Sequence, residues 1–160
     1  MPSRTSAGLL MYRSGRKGVE VFLVHPGGPF FRNKDRGAWS VPKGEVEPGE
    51  DLAGTAIREF AEELGVEPEA SDLLPLGEVV QKGGKRVHAW AFAGEWEEGR
   101  EVRSNPFTIE YPPRSGRTAS FPEIDRAAFF SLPEAREKIN PAQAPFLDRL
   151  AVLLEERGTE

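Results

Sequence analysis

Between Gly44 and Gly65 the chain places six glutamates, and four of them, Glu50, Glu59, Glu62 and Glu63, fall at or just inside one amphipathic segment. Leu52, Ala56, Phe60 and Leu64 recur every fourth residue, which is the period of an apolar stripe on an α-helix. The spacing predicts a helix from about Asp51 to Leu64, with Gly65 as its left-handed stop. At 3.6 residues per turn, Glu59, Glu62 and Glu63 fall within an arc of roughly 100° on that helix. Phe60 lies beside them, so the acidic face is partly buried. Carboxylates so placed repel one another and lose hydration unless a cation neutralises them. A hard divalent cation such as Mg2+ takes oxygen ligands and suits a few carboxylates together with substrate phosphates. The ordinary alternative for an acidic pair is a solvated helix face.

Composition narrows the chemistry. Cysteine is absent and there are only two histidines, so a disulfide framework is excluded and a zinc centre is not expected. We read His25 and His88 as structural or surface residues. The net charge is −5. Basic residues are scattered, with small groups at 13–17, 82–86 and 114–117, which argues against polymeric nucleic acid as a partner. A small anion that arrives with a metal ion remains compatible with an acidic chain. No apolar run approaches the roughly 18 residues of a membrane span, and the apolar patch near the N-terminus is too short for a signal peptide. The expectation is a cytoplasmic protein that touches no membrane, with a homodimer left open. A length of 160 residues fits one domain, 1–160.

Residues 6–12 and 20–24 read as strands joined by a glycine-rich turn, and "AWSVP" reads as a short strand. "VVQKGGKRVHAWAF" reads as a hairpin turning at Gly83-Gly84. "VRSNPFTIEYPPRSGRTASFPE" holds four prolines and is expected to be mostly loop, long enough to suggest a functional segment. "AAFFSL" is a last strand. Ser131 and Glu134 form a capping box for a second helix. A third is expected from Asn140 as N-cap and Pro141 at N1, with Phe146, Leu147, Leu150, Leu153 and Leu154 inward. Several strands with helices between and after them predict an α/β fold, a mixed sheet covered by helices.

The segment "GEVEPGEDLAGTAIREFAEELGV", Gly44 to Val66, resembles the Nudix box without departure. It reads Gly44, Glu50, Arg58-Glu59, Phe60, Glu62-Glu63, Gly65 and Val66 at the required intervals. The resemblance implies a Nudix-type α/β/α sandwich and hydrolysis of a nucleoside diphosphate linked to another group, with Mg2+ or Mn2+ as cofactor. It implies Glu59, Glu62 and Glu63 as metal ligands and catalytic groups, with Gly44 bringing its backbone close to the metal or phosphate. It implies a Glu50–Arg58 salt bridge that holds the loop to the helix, with Arg58 counted among the catalytic residues and Glu50 also able to reach a metal. A general base is expected from a distant loop: Glu123 first, Glu110 second, or Glu59 itself.

"WSVPKG" resembles the Nudix branch acting on dinucleoside polyphosphates and inositol pyrophosphates, which places Trp39 and Lys43 at the substrate; a solvated turn lysine is the alternative for Lys43. The segment "NPFTIEYPPRSGRT" resembles a bacterial subgroup of predicted nucleoside triphosphate pyrophosphohydrolases. There Arg114 and Arg117 could bind phosphate, and Tyr111, Phe30 or Phe31 could stack on a base or merely anchor their loops. The expected function is metal-dependent hydrolysis of a nucleoside triphosphate or dinucleoside polyphosphate. The alternatives are an ADP-ribose or nucleotide-sugar hydrolase and a non-catalytic nucleotide-binding domain that regulates a partner.

Overall fold

In the computed structural model, which describes residues 4–158, the chain runs β1 (Thr5–Gly15), β2 (Gly18–Pro26), β3 (Lys43–Glu45), α1 (Leu52–Leu64), β4 (Leu74–Val80), β5 (Arg86–Ala93), β6 (Pro106–Glu110), β7 (Thr118–Pro122), β8 (Ile124–Ser131), α2 (Leu132–Lys138), a 3-10 turn (Pro141–Gln143) and α3 (Ala144–Glu156). Residues 1–3 and 159–160 of the expected domain lie outside the described residues. The main sheet has the order β4-β5-β1-β2-β8, with β3 paired to β1. It is mixed: β1 runs parallel to β5 and antiparallel to β2 and β3.

Alternation along β1 builds two cores. Ala7, Leu9 and Met11 join Phe22 and Val24 under Ala56, Phe60 and Leu64 of α1. Leu10, with Val21 and Leu23, joins Phe146, Leu147, Leu150 and Leu154 of α3 on the opposite face. The expected stripe on α1 therefore faces the sheet, and Gly65 stops the helix at φ 77° with its amide donating to the Ala61 carbonyl at 2.7 Å. Each large side chain buried in this way contributes about 1.5–3 kcal/mol. The result is the expected α/β/α arrangement.

What positions the acidic helix is a split in the sheet. β1 and β2 pair only from Gly15↔Gly18 to Tyr12↔Val21. Beyond Val21 they diverge, and segment 40–45 enters the gap. Ser40 bridges Val24, the Leu9 amide donates to the Pro42 carbonyl at 3.1 Å, and Lys43–Glu45 pairs with Ser6–Gly8. The expected "AWSVP" strand is thus reduced to isolated bridges at Trp39 and Ser40, because Pro42 has no N–H to extend a ladder. Gln143, fully buried, fastens the wedge from the other side: its side-chain oxygen accepts from the Val41 amide at 2.9 Å.

Two further expectations change. The stretch expected as loop is a hairpin, β6 against β7 in register from Pro106↔Pro122 to Glu110↔Thr118. Its prolines stand at the strand ends and in the turn, where no ladder donor is lost. Asn140 caps the 3-10 turn, its side chain accepting from the Ala142 amide at 2.9 Å, and α3 begins only at Ala144. Pro145 lacks the N–H that a continuous α-helix from Pro141 needs. At the sheet margin, Arg149 of α3 donates from Nη1 to the carbonyls of Leu76 and Glu78 on β4, both at 2.9 Å.

Candidate active site

Arg58 is the hub of the acidic helix. Its Nε donates to Glu50 Oε2 at 2.7 Å and its Nη2 to Glu50 Oε1 at 2.9 Å. Nη1 donates to Glu59 Oε1 and to Glu62 Oε2, each at 3.0 Å. Glu50 also accepts from the Glu47 amide at 3.0 Å and from the buried Thr55 hydroxyl at 3.0 Å. The Arg58 guanidinium first, and the Glu47 amide second, pull the Glu50 carboxyl down to about 2. The carboxylates around it push the Arg58 guanidinium above its ordinary value, with Glu50 the largest influence. The loop and the helix are thereby locked by a charge-assisted fork.

The other two acidic groups of interest turn toward the wedge. Glu59 rests against the α-carbon of Gly44: a Cβ there would fall 1.9 Å from Glu59 Cδ. Glycine is required here for close approach, since its backbone is extended in β3. Glu63 Oε1 accepts from the Lys43 amide at 3.1 Å. Burial pushes the Glu63 carboxyl up to about 8, although the Lys43 ammonium opposes the shift. Burial also raises Glu59, with Arg58 opposing and Glu62 and Glu123 adding to it. Lys43 is lowered by burial, with the charge of Glu63 opposing. Lys43 is therefore a half-buried cation beside two carboxyls, and the solvated-turn alternative is not what the structure shows.

Glu123 arrives from between β7 and β8. Its amide donates to the Asn105 carbonyl at 3.0 Å, and its carbonyl accepts from the Gly27 amide at 2.8 Å. Its carboxyl is raised by burial and then by the charge of Glu62. The structure therefore brings Glu123 into the electrostatic reach of Glu59, Glu62 and Glu63. It does not bring Glu110, whose carboxylate accepts from the amides of Arg114 and Gly116 at 3.2 and 3.1 Å in the hairpin turn. Arg114 and Tyr111 lie at that same turn, remote in sequence from the helix. Tyr111 faces Phe30 and Phe121 edge-on, at 6.5 and 5.8 Å between ring centroids.

Trp39, expected at the substrate, belongs to the core instead. It is 4% exposed, its indole N–H donates to Asp35 Oδ1 at 2.8 Å, and Phe130 meets it edge-on at 4.9 Å. The bulky indole fills the space where the wedge meets β8. Two supports went unnoticed in the sequence. Gln143 in "NPAQAP" carried no local signal. Asp125, which pairs with fully buried His25 at 2.8 Å while the other His25 nitrogen meets the Lys34 carbonyl at 2.6 Å, ties loop 27–38 to β8. Its signal was only its place two residues after Glu123.

The donor set suits a divalent cation in kind: it is all oxygen, and the single charge of Arg58 is divided among Glu50, Glu59 and Glu62, leaving Glu59 and Glu63 short of positive charge. As the side chains stand, no three of them among the described residues already converge on one point. Arg58 takes the central position, and a hard cation would be held by Glu59 and Glu62 exchanging that contact, with Glu63 turning from the Lys43 amide.

A profile of the NUDIX domain matches residues 2–150. The chain belongs to the Nudix hydrolase family. Members of this family generally use divalent metal ions. Over 45 residues the chain is 51% identical to a Mus musculus protein named nucleoside diphosphate-linked moiety X motif 6, a match covering 28% of this chain and 14% of that protein. Over 60 residues it is 40% identical to an RNA pyrophosphohydrolase of Roseobacter denitrificans, covering 35% of this chain and 38% of that one. The chain thus spans well under half the length of these curated relatives. The crystal structure of a C. elegans Ap4A hydrolase binary complex shares the fold, with a TM-score of 0.67 at 21% identity, covering 94% of this chain and 98% of that one. Among the described residues no helix is long and apolar enough to cross a membrane.

Proposed function

We propose that this Nudix domain, read as one unit over 1–160, is a cytoplasmic hydrolase that cleaves a phosphoanhydride bond of a nucleoside triphosphate or dinucleoside polyphosphate with Mg2+ or Mn2+. The observation that carries the reading is the placing of Glu59 against Gly44 and of Glu63 on the Lys43 amide, with Glu62 and Glu123 close enough for their charges to act on this pair or on each other. Five ionisable groups from three distant segments thus act on one another, and three of the carboxyls are raised.

Glu59, Glu62 and Glu63 would hold the cation, which would supply positive charge against the phosphate oxygens and make a water molecule more acidic. Glu123 is the general base, since it stands within the charge of Glu62 and burial raises the proton affinity of its carboxyl. As water adds to phosphorus, its proton passes to the Glu123 carboxylate and the bond to the leaving phosphate oxygen breaks. The Lys43 ammonium holds a phosphate oxygen as a point charge. Arg58 and Glu50 position the acidic face and do not touch the reacting atoms. Gly44 lets Glu59 lie flush with the strand.

The test is a nucleotide panel with Mg2+ and with Mn2+, scored by phosphate products, on the parent and on Glu62→Gln, Glu63→Gln and Glu123→Gln. The reading expects turnover in the parent, loss of about 10²–10⁴-fold for Glu123→Gln, and loss of turnover in the other two with the fold retained. Full activity in both Glu62→Gln and Glu63→Gln would remove the metal assignment. Nucleotide affinity without products from the parent would make this a binding domain.

A further inference from the structure

We infer that the β6–β7 hairpin is a distal arm of the site, and that Arg114 and Arg117 at its tip, with Tyr111 and Phe30 beside them, hold the far end of a two-ended nucleotide such as a dinucleoside polyphosphate. This rests on the function proposed above and adds a second binding position to it.

The hairpin begins at the carboxylate cluster. Glu123 follows β7 directly, and its amide closes the hairpin root on Asn105. From there to Arg117 is six residue steps along β7, about 20 Å at the usual rise. Loop 27–34 runs along the arm. The ring of Phe107 covers the α-carbon of Gly28 near the root, where a Cβ would meet it at 2.8 Å, and Phe30 meets Tyr111 near the tip. Loop and hairpin therefore form one wall leading away from Glu123.

The tip is built rather than loose. Glu110 accepts two turn amides, from Arg114 and Gly116. Ser115 Oγ accepts from the Arg117 amide at 3.1 Å, and the Tyr111 amide donates to the Arg117 carbonyl at 2.9 Å. Arg114 itself sits at φ 63°, a left-handed conformation that non-glycine residues adopt at a cost. A turn fixed so firmly and yet carrying arginine where glycine or asparagine fits better implies a use for the side chain. Among the described residues, neither guanidinium has an ion-pair partner, although the chain is acidic overall. Phe30, 57% exposed, adds an aromatic face.

Guanidinium groups recognise phosphate in a planar fork and also stack on bases. A separation of about 20 Å between root and tip is the scale of a polyphosphate chain with a second nucleoside. A mononucleotide with its reacting phosphate among the carboxylates places no phosphate at the tip. An RNA chain is the weaker fit, because a polymer asks for a continued track of cations, and the wall offers two arginines among aromatic rings.

The experiment compares kcat/KM for a dinucleoside tetraphosphate with that for a nucleoside triphosphate, in the parent and in the double variant Arg114→Ala/Arg117→Ala. The ratio of the two is expected to fall at least about tenfold, through KM of the longer substrate. The double variant Arg114→Lys/Arg117→Lys, which keeps the charge and serves if Arg114→Ala/Arg117→Ala does not fold, should keep part of the preference. An unchanged ratio overturns the arm while leaving the carboxylate site standing. A loss confined to a 5′-triphosphorylated RNA oligomer also overturns it, in favour of a polymer end. If the parent turns over no substrate, the proposed hydrolysis itself fails; the arm is then judged by binding of the non-hydrolysed dinucleotide, which the double variant must weaken about tenfold for the arm to stand.

Discussion

Gly44 and Glu59 leave no room for an atom between them: a Cβ on Gly44 would stand 1.9 Å from Glu59 Cδ and 2.1 Å from its Oε2. Strand and carboxylate are fitted to each other by the absence of one methyl group. Gly44→Ala should therefore displace the end of a flexible side chain more than the backbone. We expect the variant to melt within about 3 °C of the parent, a change of roughly 1 kcal/mol at this chain length, while kcat falls more than about tenfold. A thermal melt beside a steady-state assay decides it; a variant with parental kcat would show that Glu59 works equally well elsewhere.

The fork between Arg58 and Glu50 makes an acid-side prediction. Glu50 is held at about 2 when folded and returns to about 4.3 when unfolded. Its contribution to stability is full above the unfolded value and disappears as pH falls toward 2. Glu50→Gln should lower the urea midpoint at pH 7, and the gap to the parent should close between pH 4.5 and pH 2. A gap that stays constant with pH would mean that the fork is not electrostatic in origin.

Glu63 predicts the opposite slope. Its carboxyl is pushed up to about 8 by burial, so the folded chain holds a proton that the unfolded chain releases above about 4.3. Without added cation, stability should decline as pH rises from about 4.5 to 8. Glu63→Gln should remove that decline and melt higher than the parent at pH 8, by about 2–6 °C if one or two kcal/mol are relieved. Added Mn2+ at a hundredfold over its Kd should raise the parent by about 2.7 kcal/mol and the variant by much less. Equal stabilisation of both proteins would take Glu63 out of the ligand set.

Trp39 separates a structural from a binding role. Because the indole is buried and hydrogen-bonded to Asp35, Trp39→Ala should cost about 3–5 kcal/mol of stability. Trp39→Phe should cost less and leave KM for the nucleotide within about twofold. A raised KM in a Trp39→Phe protein of parental stability would return the indole to the substrate.

Legibility followed the range of the interactions. The apolar stripe of α1, the Gly65 stop and the Ser131 cap are local, and the residues between Gly44 and Val66 announced their own spacing. The alternation of Phe107, Ile109, Ala119 and Phe121 in β6 and β7 is also local, but the four prolines of the same stretch mask it. The wedge of 40–45 could not be read locally, since it depends on where β1 and β2 part company. Trp39 stood in a motif suited to ligand binding and was claimed instead by Phe130 and Asp35, which are distant partners that no local pattern reveals. Glu123 was proposed from its position before the last strand, and its proximity to Glu62 emerges only when the hairpin root closes on Asn105.

The guanidinium of Arg149, lying over the Leu76 and Glu78 carbonyls, has a consequence for how copies of this protein meet. An outermost strand normally offers its free acceptors to any extended chain that drifts past. Here a side chain from the last helix already occupies two of them, so that border is a poor template for stacking ribbons.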